Sequence, residues 1–343
     1  MERIRVNASL EYDVIVGEGI LKKSGELTAE IVAPCKACII TDDVVAPLYL
    51  EEVKRSFNDA GFEAFEYIFP NGERSKNVNT LVEILEFAAS NRLTRSDIII
   101  ALGGGVTGDM AGFAAATYLR GIRFVQIPTT FLADIDSSVG GKTAVNLKAG
   151  KNLWGAFHQP SLVICDTNCL KTLSREIFLD GVAEAVKYAV LEDEALIGLI
   201  ETDLPTAIKR CIEIKRDVVS GDEFETGKRK FLNLGHTLGH SIEALSGFSV
   251  THGHAVAIGM VLASRGGERM GITEPGTTDR IVAVLESFGL PVNCEYTAAE
   301  LAGYALGDKK REGDSITLVI PEKIGSCRLC KIPVSGIEAF AAE

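Results

Sequence analysis

The sequence lacks any stretch of about 18 consecutive apolar residues, the length that a membrane-spanning helix requires. It also lacks an excess of basic residues, because its 343 residues carry a formal net charge of −12. Nucleic acids are bound by basic surfaces, so this charge argues against a nucleic-acid partner. The first residues alternate apolar and polar side chains, with no basic segment followed by an apolar run, so we expect strands there and no signal peptide. These absences predict a soluble, cytoplasmic protein.

Eight cysteines are present, but their spacing is not that of a zinc ribbon. Cys35 and Cys38 form one closely spaced pair, Cys327 and Cys330 form another, and nearly the whole chain separates the two pairs. Zinc ribbons separate their pairs by about 15–20 residues. We therefore interpret the cysteines as buried reduced thiols, with a structural zinc or a redox pair as the alternative.

The first half of the chain alternates between strand patterns and helix patterns. Apolar β-branched runs, such as the one from Asp97 to Leu102, are joined by stretches of helical spacing. This alternation is typical of a parallel sheet covered by helices on both faces. The predicted strands are Val14–Val16, Ala37–Thr41, Ala64–Phe69, Asp97–Leu102, Arg123–Ile127 and Leu162–Cys165, and the predicted helices are Ala46–Ala60, Asn79–Asn91 and Met110–Leu119.

The pattern changes after about residue 170. From Ser174 to Gly289 the apolar residues recur at helical spacing, and a strand pair is expected only near Ser315–Ile320 and Cys327–Lys331. A chain of this length exceeds the size at which one hydrophobic core keeps growing. The sequence therefore predicts a Rossmann-like α/β nucleotide-binding domain over residues 1–160. A mainly α-helical domain that binds metal and substrate is expected over residues 161–343.

A glycine-rich segment directly follows the strand that ends at Leu102. Gly103, Gly105 and Gly108 match the spacing G-x-G-x-x-G, in which glycines permit a tight turn and a close approach to a pyrophosphate. The segment follows a late strand, and no acidic residue stands about 20 positions downstream to bind a ribose. Asp42, which ends an earlier strand, is a candidate for that contact. A simple turn between strand and helix is the alternative interpretation.

Two further polar segments support a nucleotide site. Asn71–Lys76 follows one predicted strand, and Thr129–Thr130 follows another. Because the carboxyl ends of parallel strands meet at one edge of a sheet, we expect both segments to lie beside the glycine-rich segment. The three segments together predict a dinucleotide site of variant topology.

Histidine is scarce, with five in the chain, yet four of them are His236, His240, His252 and His254. The first two are four residues apart, so in a helix they share one face. Such a cluster indicates a metal or catalytic site.

An open catalytic metal site takes three protein ligands, and a carboxylate is the expected third donor. Glu184 is the best candidate, because an acid within so apolar a helix needs a partner. Lys187, one turn further on, offers a purely structural ion pair as the alternative.

Basic residues occur close to these segments. Arg229 lies four residues before Asn233 and seven before His236, so in a continuous helix the three share a face. An arginine and lysines beside a metal suit a phosphorylated substrate. Taken singly, each is an ordinary solvated charge. The basic candidates are Lys142, Lys151, Lys215, Arg229, Lys230, Lys309 and Lys310.

Six segments follow one another in a fixed order between about Asn71 and Lys310. They are GGGVTGDMAGFAAATYLRG, IPTTFLADIDSSVGGKTAVN, GKNLWGAFHQP, GVAEAVKY, FLNLGHTLGH and HGHAVAIGM. Together they resemble the signature segments of the 3-dehydroquinate synthase family. The resemblance implies that Glu184, His236 and His252 bind zinc, or cobalt as a substitute. The family often reads H-G-E where this chain reads H-G-H, so His254 competes with His252 as a ligand.

The resemblance also implies NAD as a cofactor and a set of residues that bind the substrate. The implied NAD contacts are Asp42, Asn71, Gly72, Glu73, Arg74, Ser75, Lys76, Gly104, Gly105, Val106, Thr107, Gly108, Asp109, Thr129, Thr130, Lys142, Lys151, Cys169, Leu170, Lys171 and Thr172. The implied substrate residues are Arg120, Asp136, Lys142, Asn152, Lys187, Lys215, Arg229, Asn233, His240 and either Lys309 or Lys310.

The family's reaction converts 3-deoxy-D-arabino-heptulosonate 7-phosphate to 3-dehydroquinate and phosphate in the shikimate pathway. It proceeds by transient oxidation through NAD, phosphate elimination, re-reduction, ring opening and intramolecular aldol closure. The resemblance further implies a homodimer. The alternatives are a different sugar phosphate cyclase, a metal-dependent polyol or glycerol-phosphate dehydrogenase that releases reduced cofactor, and a non-enzymatic binding module.

Overall fold

The computed structural model describes residues 1–305, 311–312 and 314–342. The chain divides into two compact units. The first contains Met1–Leu173 and Lys215–Glu223, and the second contains Ser174–Ile214 and Phe224–Glu343. The predicted domain boundary between residues 160 and 161 stays a prediction, because compactness alone does not show that a unit folds independently.

A seven-stranded sheet forms the centre of the first unit, and a separate two-stranded hairpin accompanies it. The strands are β1 (Glu2–Val6), β2 (Tyr12–Gly17), β3 (Lys36–Asp42), β4 (Glu63–Phe69), β5 (Ile98–Gly103), β6 (Arg123–Pro128), β7 (Lys142–Leu147), β8 (Gly150–Phe157) and β9 (Leu162–Asp166). The order across the sheet is β1-β2-β9-β6-β5-β3-β4, and all neighbours except β1 and β2 are parallel. All six predicted strands of the α/β region are confirmed.

Helices cover the two faces of this sheet. They are α1 (Ser24–Ala29), α2 (Glu51–Asp59), α3 (Val78–Ser90) and α4 (Gly105–Thr117), with short 3-10 or π segments at Leu21–Lys23, Ala46–Leu50, Glu73–Ser75, Tyr118–Arg120, Ala133–Ser137 and Thr167–Thr172. The predicted helices are confirmed, but α4 begins at Gly105 and not at Met110, because the glycine-rich segment is already helical.

Burial explains why the β-branched runs form central strands. In β5, Ile98 and Ile100 belong to one hydrophobic cluster and Ile99 to another, and all three are fully buried. Successive side chains of a strand point to opposite faces, so each face of the sheet has its own core. Burial of one such side chain contributes about 1.5–3 kcal/mol. The prediction of a sheet covered on both faces is confirmed.

The hairpin of β7 and β8 was not predicted. Its sequence carries glycines and exposed apolar residues instead of regular alternation, and Leu153 and Trp154 are both exposed. Gly155 is required by the pairing, because a Cβ atom there would lie 2.1 Å from the backbone oxygen of Thr143. The Trp154 ring packs edge-on against Phe113 of α4, with ring centroids 5.7 Å apart.

The second unit is mainly helical. Its helices are α5 (Arg175–Leu191), α6 (Leu196–Thr202), α7 (Leu204–Gly221), α8 (His236–Leu245), α9 (His252–Arg269), α10 (Thr277–Phe288), α11 (Ala298–Ala305) and α12 (Ile337–Ala341). Its strands are β10 (Arg311–Glu312), β11 (Ser315–Lys323) and β12 (Ser326–Pro333), which form an antiparallel sheet. The predicted strand pair is confirmed. The last residues of α7, from Lys215 onward, belong to the first unit.

The structure also bears on the cysteines and on membrane insertion. All eight cysteines lie in the described ranges and are thiols, and those at 38, 165, 169 and 211 are buried. Within those ranges, no side-chain group suited to a metal includes a cysteine. Of the helices described, none combines the length and the apolar character that a bilayer span would need.

Asp134 is a fully buried carboxyl group in the π-helical turn Ala133–Ser137. Burial raises its pKa well above the usual range, and the neighbouring thiol of Cys165 offsets only part of this effect. An acid with a raised pKa holds its proton more tightly in the folded chain. The stability it contributes is therefore complete below the unfolded pKa of about 4 and falls as the pH rises above it.

Asp134→Asn keeps the shape of the side chain but cannot ionise. As the pH rises from 5 to 8, the parent loses stability through Asp134 and the variant does not. We therefore expect the difference in unfolding free energy to shift in favour of the variant, by up to about 1.4 kcal/mol for each pH unit. Urea unfolding midpoints at the two pH values measure the effect. A constant difference between variant and parent across this range would contradict the prediction.

Candidate metal and nucleotide sites

Glycines let three helices of the second unit approach one another closely. A Cβ atom on Gly259 of α9 would lie 2.0 Å from the backbone oxygen of Gly235, which precedes α8 and has a φ of 77°. A Cβ atom on Gly253 would lie 2.3 Å from the Cα atom of Asp180 in α5. Such distances exclude any side chain, so these glycines permit the close packing of α5, α8 and α9.

This packing brings together the three predicted metal ligands. Glu184 is fully buried in α5, His236 is the first residue of α8, and His252 is the first residue of α9. The Oε1 atom of Glu184 lies 3.5 Å from Nε2 of His236 and 3.2 Å from Nε2 of His252. One carboxylate and two imidazoles are a donor set of catalytic zinc sites. The three residues therefore fit a divalent ion.

The other ring nitrogens of both histidines have fixed partners. Nδ1 of His236 lies 3.0 Å from the backbone oxygen of Leu234. Nδ1 of His252 lies 3.2 Å from Oε2 of Glu243, a buried carboxylate in α8. Such partners hold a proton on Nδ1 and leave Nε2 available to a metal. Both Nε2 atoms are the ones that face Glu184.

A second group of possible ligands consists of His240, Glu243 and His252. It shares His252 with the first group, and its Glu243 faces the other ring nitrogen of His252, Nδ1. Burial lowers the pKa of His252, but the carboxylates of Glu243 and Glu184 outweigh this effect and raise it to about 10. The same two carboxylates would also attract a bound cation, because opposite charges attract. We therefore interpret the two groups as one centre, with Glu243 behind His252.

Lys187 is buried one turn after Glu184 and forms an ion pair with its Oε2 atom. The histidines face the other oxygen, Oε1. The ion pair and the ligand group are thus compatible, because they use different atoms of one carboxylate. The His240 ring centroid lies 5.5 Å from that of His236 and 6.0 Å from that of His252, which places His240 beside the centre.

His254 does not belong to the ligand groups found among the described residues. Its Nδ1 atom lies 2.7 Å from Oγ1 of Thr251 and 2.9 Å from Oδ1 of Asp180. The structure therefore favours His252 over His254 as the ligand.

Arg229 and Asn233 lie in the 3-10 segment Lys228–Asn233. The stretch is not the continuous helix in which they would share a face with His236, because Gly235 adopts a left-handed conformation and separates this segment from α8. Arg229 is buried, and the amide of Asn233 donates to Oε1 of Glu225 at 2.5 Å. Lys309 and Lys310 lie outside the described residues.

In the first unit, the predicted nucleotide segments meet at the carboxyl ends of the parallel strands. The backbone N–H of Thr129 donates to the oxygen of Gly103 at 3.1 Å, and Oγ1 of Thr107 donates to Oδ2 of Asp42 at 3.4 Å. The N-terminus of α4 follows directly, with Gly104 as the residue before its first turn. The expected placement of these segments is confirmed, and their role stays a prediction.

Each glycine of this segment lies against a different neighbouring side chain. A Cβ atom on Gly108 would lie 2.7 Å from Oε1 of Gln126 in β6, so this glycine allows α4 to pack against the sheet. A Cβ atom on Gly104 would lie 3.2 Å from the side chain of Thr130, and one on Gly105 would lie 3.2 Å from that of Ser137. These contacts keep the backbone of the first turn close to the neighbouring loops. Such a helix N-terminus suits a pyrophosphate.

A network of polar side chains joins the segment Asn71–Lys76 to α4 and to the hairpin. The Nζ atom of Lys76 donates to Oδ2 of Asp109 at 2.5 Å and to Oδ1 of Asn152 at 2.6 Å. Burial raises the pKa of Asp109, and Lys76 opposes this change. Glu73 accepts from Asn146 at 2.7 Å, and Lys151 lies 3.5 Å from the same oxygen. The hairpin therefore places the predicted residues Lys151 and Asn152 in contact with the predicted nucleotide segment Asn71–Lys76.

The remaining candidates of the first unit are dispersed. Cys169–Thr172 forms part of the 3-10 segment after β9, where Oγ1 of Thr172 lies 2.5 Å from the Tyr49 hydroxyl. Lys215 forms an ion pair with Asp136, and Lys142 is exposed at the start of β7. Arg120 is exposed beyond the C-terminus of α4, about 20 Å from the N-terminus of that 13-residue helix.

Sequence reasoning missed several side chains that contact the candidates. Asp180 binds His254, Glu225 binds Asn233, and Asn146 binds Glu73. Glu243 had a detectable signal, because it lies three residues after His240 in the same helix and therefore on the same face. The others are separated from their partners by bends or by long stretches of chain.

These two units define the class of protein: a metal-dependent enzyme with an α/β unit suited to a nucleotide cofactor. The family model described as 3-dehydroquinate synthase N-terminal matches residues 66–180, and the one described as 3-dehydroquinate synthase C-terminal matches residues 181–311. The chain belongs to the 3-dehydroquinate synthase family.

Curated relatives and solved structures agree with this assignment. The 3-dehydroquinate synthase of Streptococcus suis (strain 05ZYH33) is 45% identical over 341 residues, which cover 96% of each chain. A crystal structure of 2-deoxy-scyllo-inosose synthase with carbaglucose-6-phosphate, NAD+ and Co2+ matches with a TM-score of 0.89 and 26% identity over 99% of both chains. ValA, a 2-epi-5-epi-valiolone synthase from Streptomyces hygroscopicus subsp. jinggangensis 5008 with NAD+ and Zn2+ bound, matches with a TM-score of 0.87 and 26% identity, covering 99% of this chain and 98% of that one.

Proposed function

We propose that the chain converts 3-deoxy-D-arabino-heptulosonate 7-phosphate to 3-dehydroquinate and phosphate in the shikimate pathway. The observation that carries the proposal is the convergence of Glu184, His236 and His252, with the buried Lys187 beside them. Identity of 45% to 3-dehydroquinate synthases, against 26% to the two other cyclases, favours this substrate within the class.

Glu184, His236 and His252 are the proposed ligands of zinc or cobalt. A bound zinc or cobalt ion supplies Lewis acidity to neighbouring oxygens of the substrate. Leu234 and Glu243 orient the two imidazoles through their Nδ1 atoms. The solved cyclases that hold NAD+ with Co2+ or Zn2+ support this choice of metal.

The proposed NAD site lies at the carboxyl edge of the sheet in the first unit. NAD supplies a reversible acceptor for hydride, while the protein binds and orients it. The N-terminus of α4 offers backbone N–H groups to the pyrophosphate, and Asp42 is the candidate for the ribose. The family resemblance implies the further NAD contacts, which are Asn71–Lys76, Gly104–Asp109, Thr129–Thr130, Lys142, Lys151 and Cys169–Thr172.

The substrate carries a phosphate and a carboxylate, whereas the chain carries a net charge of −12. Basic side chains must therefore be gathered locally to hold it. Lys187 and Arg229 are buried in the second unit, and Lys215 is buried in the first. Buried cations interact more strongly with an anion than solvated ones do, because water screens them less.

We assign roles to these residues on that basis. Lys142 and Lys187 bind the carboxylate or polarise substrate oxygens, and Arg229 belongs with the cations that hold the phosphate. His240, beside the metal ligands, serves proton transfer or phosphate contact. Asp136, Asn152, Asn233, Arg120 and Lys309 or Lys310 complete the proposed substrate set on the strength of the family resemblance.

The proposal extends to the setting in which the enzyme works. Eight cysteines that are all thiols suit the reducing cytoplasm, which is the compartment that we propose. We also propose a homodimer, as the family resemblance implies. The acidic charge supports a small-molecule substrate and no nucleic-acid partner.

The test is an assay of purified protein with the heptulosonate phosphate, a catalytic amount of NAD, and zinc. We expect one phosphate and one 3-dehydroquinate for each substrate consumed, with no net gain in NADH absorbance. Steady accumulation of NADH would instead support a polyol or glycerol-phosphate dehydrogenase. Turnover of a hexose 6-phosphate, which lacks the carboxylate, in place of the heptulosonate would support a different sugar phosphate cyclase.

A further inference from the structure

Two residues that flank His252 in the chain are held by one carboxylate. Thr251 donates from Oγ1 to Oδ1 of Asp180 at 2.6 Å, and the backbone N–H of His254 donates to the same oxygen at 3.2 Å. The Nδ1 atom of His254 lies 2.9 Å from this oxygen and 2.7 Å from Oγ1 of Thr251. Asp180 thus contacts the residue before His252, the proposed ligand, and the residue two positions after it.

The same helix carries both this carboxylate and a proposed metal ligand. Asp180 and Glu184 are four residues apart in α5, so they lie on one face of it. Gly253 lies against the backbone of Asp180 so closely that no Cβ atom fits between them. The start of α9 is therefore fixed against α5 by close backbone packing and by hydrogen bonds on both sides of His252.

We propose that Asp180, Thr251 and His254 form a clamp that fixes the imidazole of His252 over Glu184. His254 is then a positioning residue and not a metal ligand. This inference rests on the metal site proposed above. Metal–ligand distances tolerate deviations of only about 0.2 Å, so a small movement at the start of α9 is enough to weaken binding.

The clamp also explains why a histidine suits position 254 in this chain. Its ring N–H is a donor next to a carboxylate that already accepts two other hydrogen bonds. A glutamate at this position would place a second negative charge beside Asp180, and like charges at such distances repel. The residues at 180 and 254 are therefore expected to be coupled, so that a change in one alters the effect of a change in the other.

Isothermal titration of Co2+ into metal-free protein tests the clamp without any assay of turnover. His254→Leu removes the donor, and we expect it to weaken Co2+ binding about 10–100-fold, the usual effect of losing a partner that orients a ligand. His254→Asn keeps an N–H donor close to the position of Nδ1 and is expected to restore most of the affinity. Glu194→Gln, which alters an exposed ion pair with Arg280 in the same unit, is the control and should bind like the parent.

A double-mutant cycle separates the clamp from general damage to the fold. Asp180→Ala combined with His254→Leu should weaken Co2+ binding no more than Asp180→Ala alone, because loss of the carboxylate already removes the hydrogen bond that His254→Leu removes. His254→Glu should bind more weakly than His254→Leu, and adding Asp180→Asn to it should recover affinity. The thermal unfolding of each metal-free variant shows whether it is folded.

The outcomes distinguish the clamp from the metal site. Parent affinity in a folded His254→Leu protein would overturn the clamp and leave the site intact. Complete loss of Co2+ binding in that variant, matching the loss in Glu184→Gln, would make His254 a ligand and also overturn the clamp. Failure of the parent protein to bind Co2+ would overturn the proposed site itself.

Discussion

Glu184→Gln is expected to lower turnover at least about 1,000-fold and to abolish tight binding of Co2+. The variant removes the charged member of the ligand group while keeping the shape of the side chain. A Lewis acid contributes several kcal/mol to transition-state stabilisation, and each 1.4 kcal/mol corresponds to a factor of ten in rate. Phosphate release measures the first effect, and isothermal titration measures the second.

The same variant tests the structural ion pair as an explanation for the buried acid. Loss of its charge leaves Lys187 buried without its carboxylate partner, which costs about 3–5 kcal/mol of unfolding free energy. If that pair were the whole role of Glu184, the variant would unfold more easily but still bind Co2+ like the parent. Glu194→Gln, which alters an exposed pair of the second unit, should change neither stability nor binding by much.

Gly259→Ala is expected to destabilise the protein by about 3 kcal/mol or more and to weaken Co2+ binding at least tenfold. The added methyl group would lie 2.0 Å from the backbone oxygen of Gly235 and 3.0 Å from the backbone nitrogen of Gly239. Overpacking against rigid backbone usually costs about 1–3 kcal/mol, and here no flexible side chain can move aside. The helices α8 and α9 must separate, which moves His236 away from His252. Urea unfolding and Co2+ titration measure the two effects.

Gly198→Ala is a matched control for this change. Gly198 also lies within a helix, α6, but a Cβ atom there meets nothing within 4 Å. Alanine in an open helical position is expected to stabilise the fold by about 0.5–1 kcal/mol. Opposite signs for the two substitutions would show that the contact, and not the loss of glycine, matters. Equal effects would refute the role assigned to close helix packing.

The parallel strands of the first unit could be predicted because their signal is local. Three successive isoleucines at 98–100 followed by glycines identify a strand buried on both faces and the turn after it, whatever the rest of the fold. The histidines of the candidate metal site could also be proposed from the sequence, because four histidines cluster in a chain that has five. In both cases the residue type and its near neighbours carry the information.

The hairpin of β7 and β8 shows what local patterns do not predict. Its strands lack regular alternation, and they are held by pairing with each other and by contacts such as Trp154 on Phe113. Yet this hairpin brings Asn152 to Lys76, across 76 positions of the chain. The shared helical face considered for Arg229, Asn233 and His236 does not form, because the left-handed Gly235 separates the 3-10 segment from α8.

The sequence by itself determined the class of fold, the family and the types of side chain that form the metal site. Only the tertiary structure decided which atoms of those side chains meet: Oε1 of Glu184 faces His252, Oε2 faces Lys187, and His254 contacts Asp180 instead. The hydrogen-bond partner of His254 is Asp180, which lies 74 positions earlier in the chain. Periodicity and residue type are encoded over a few neighbouring residues, whereas such a contact depends on how closely α5 and α9 pack, which the glycine at 253 permits.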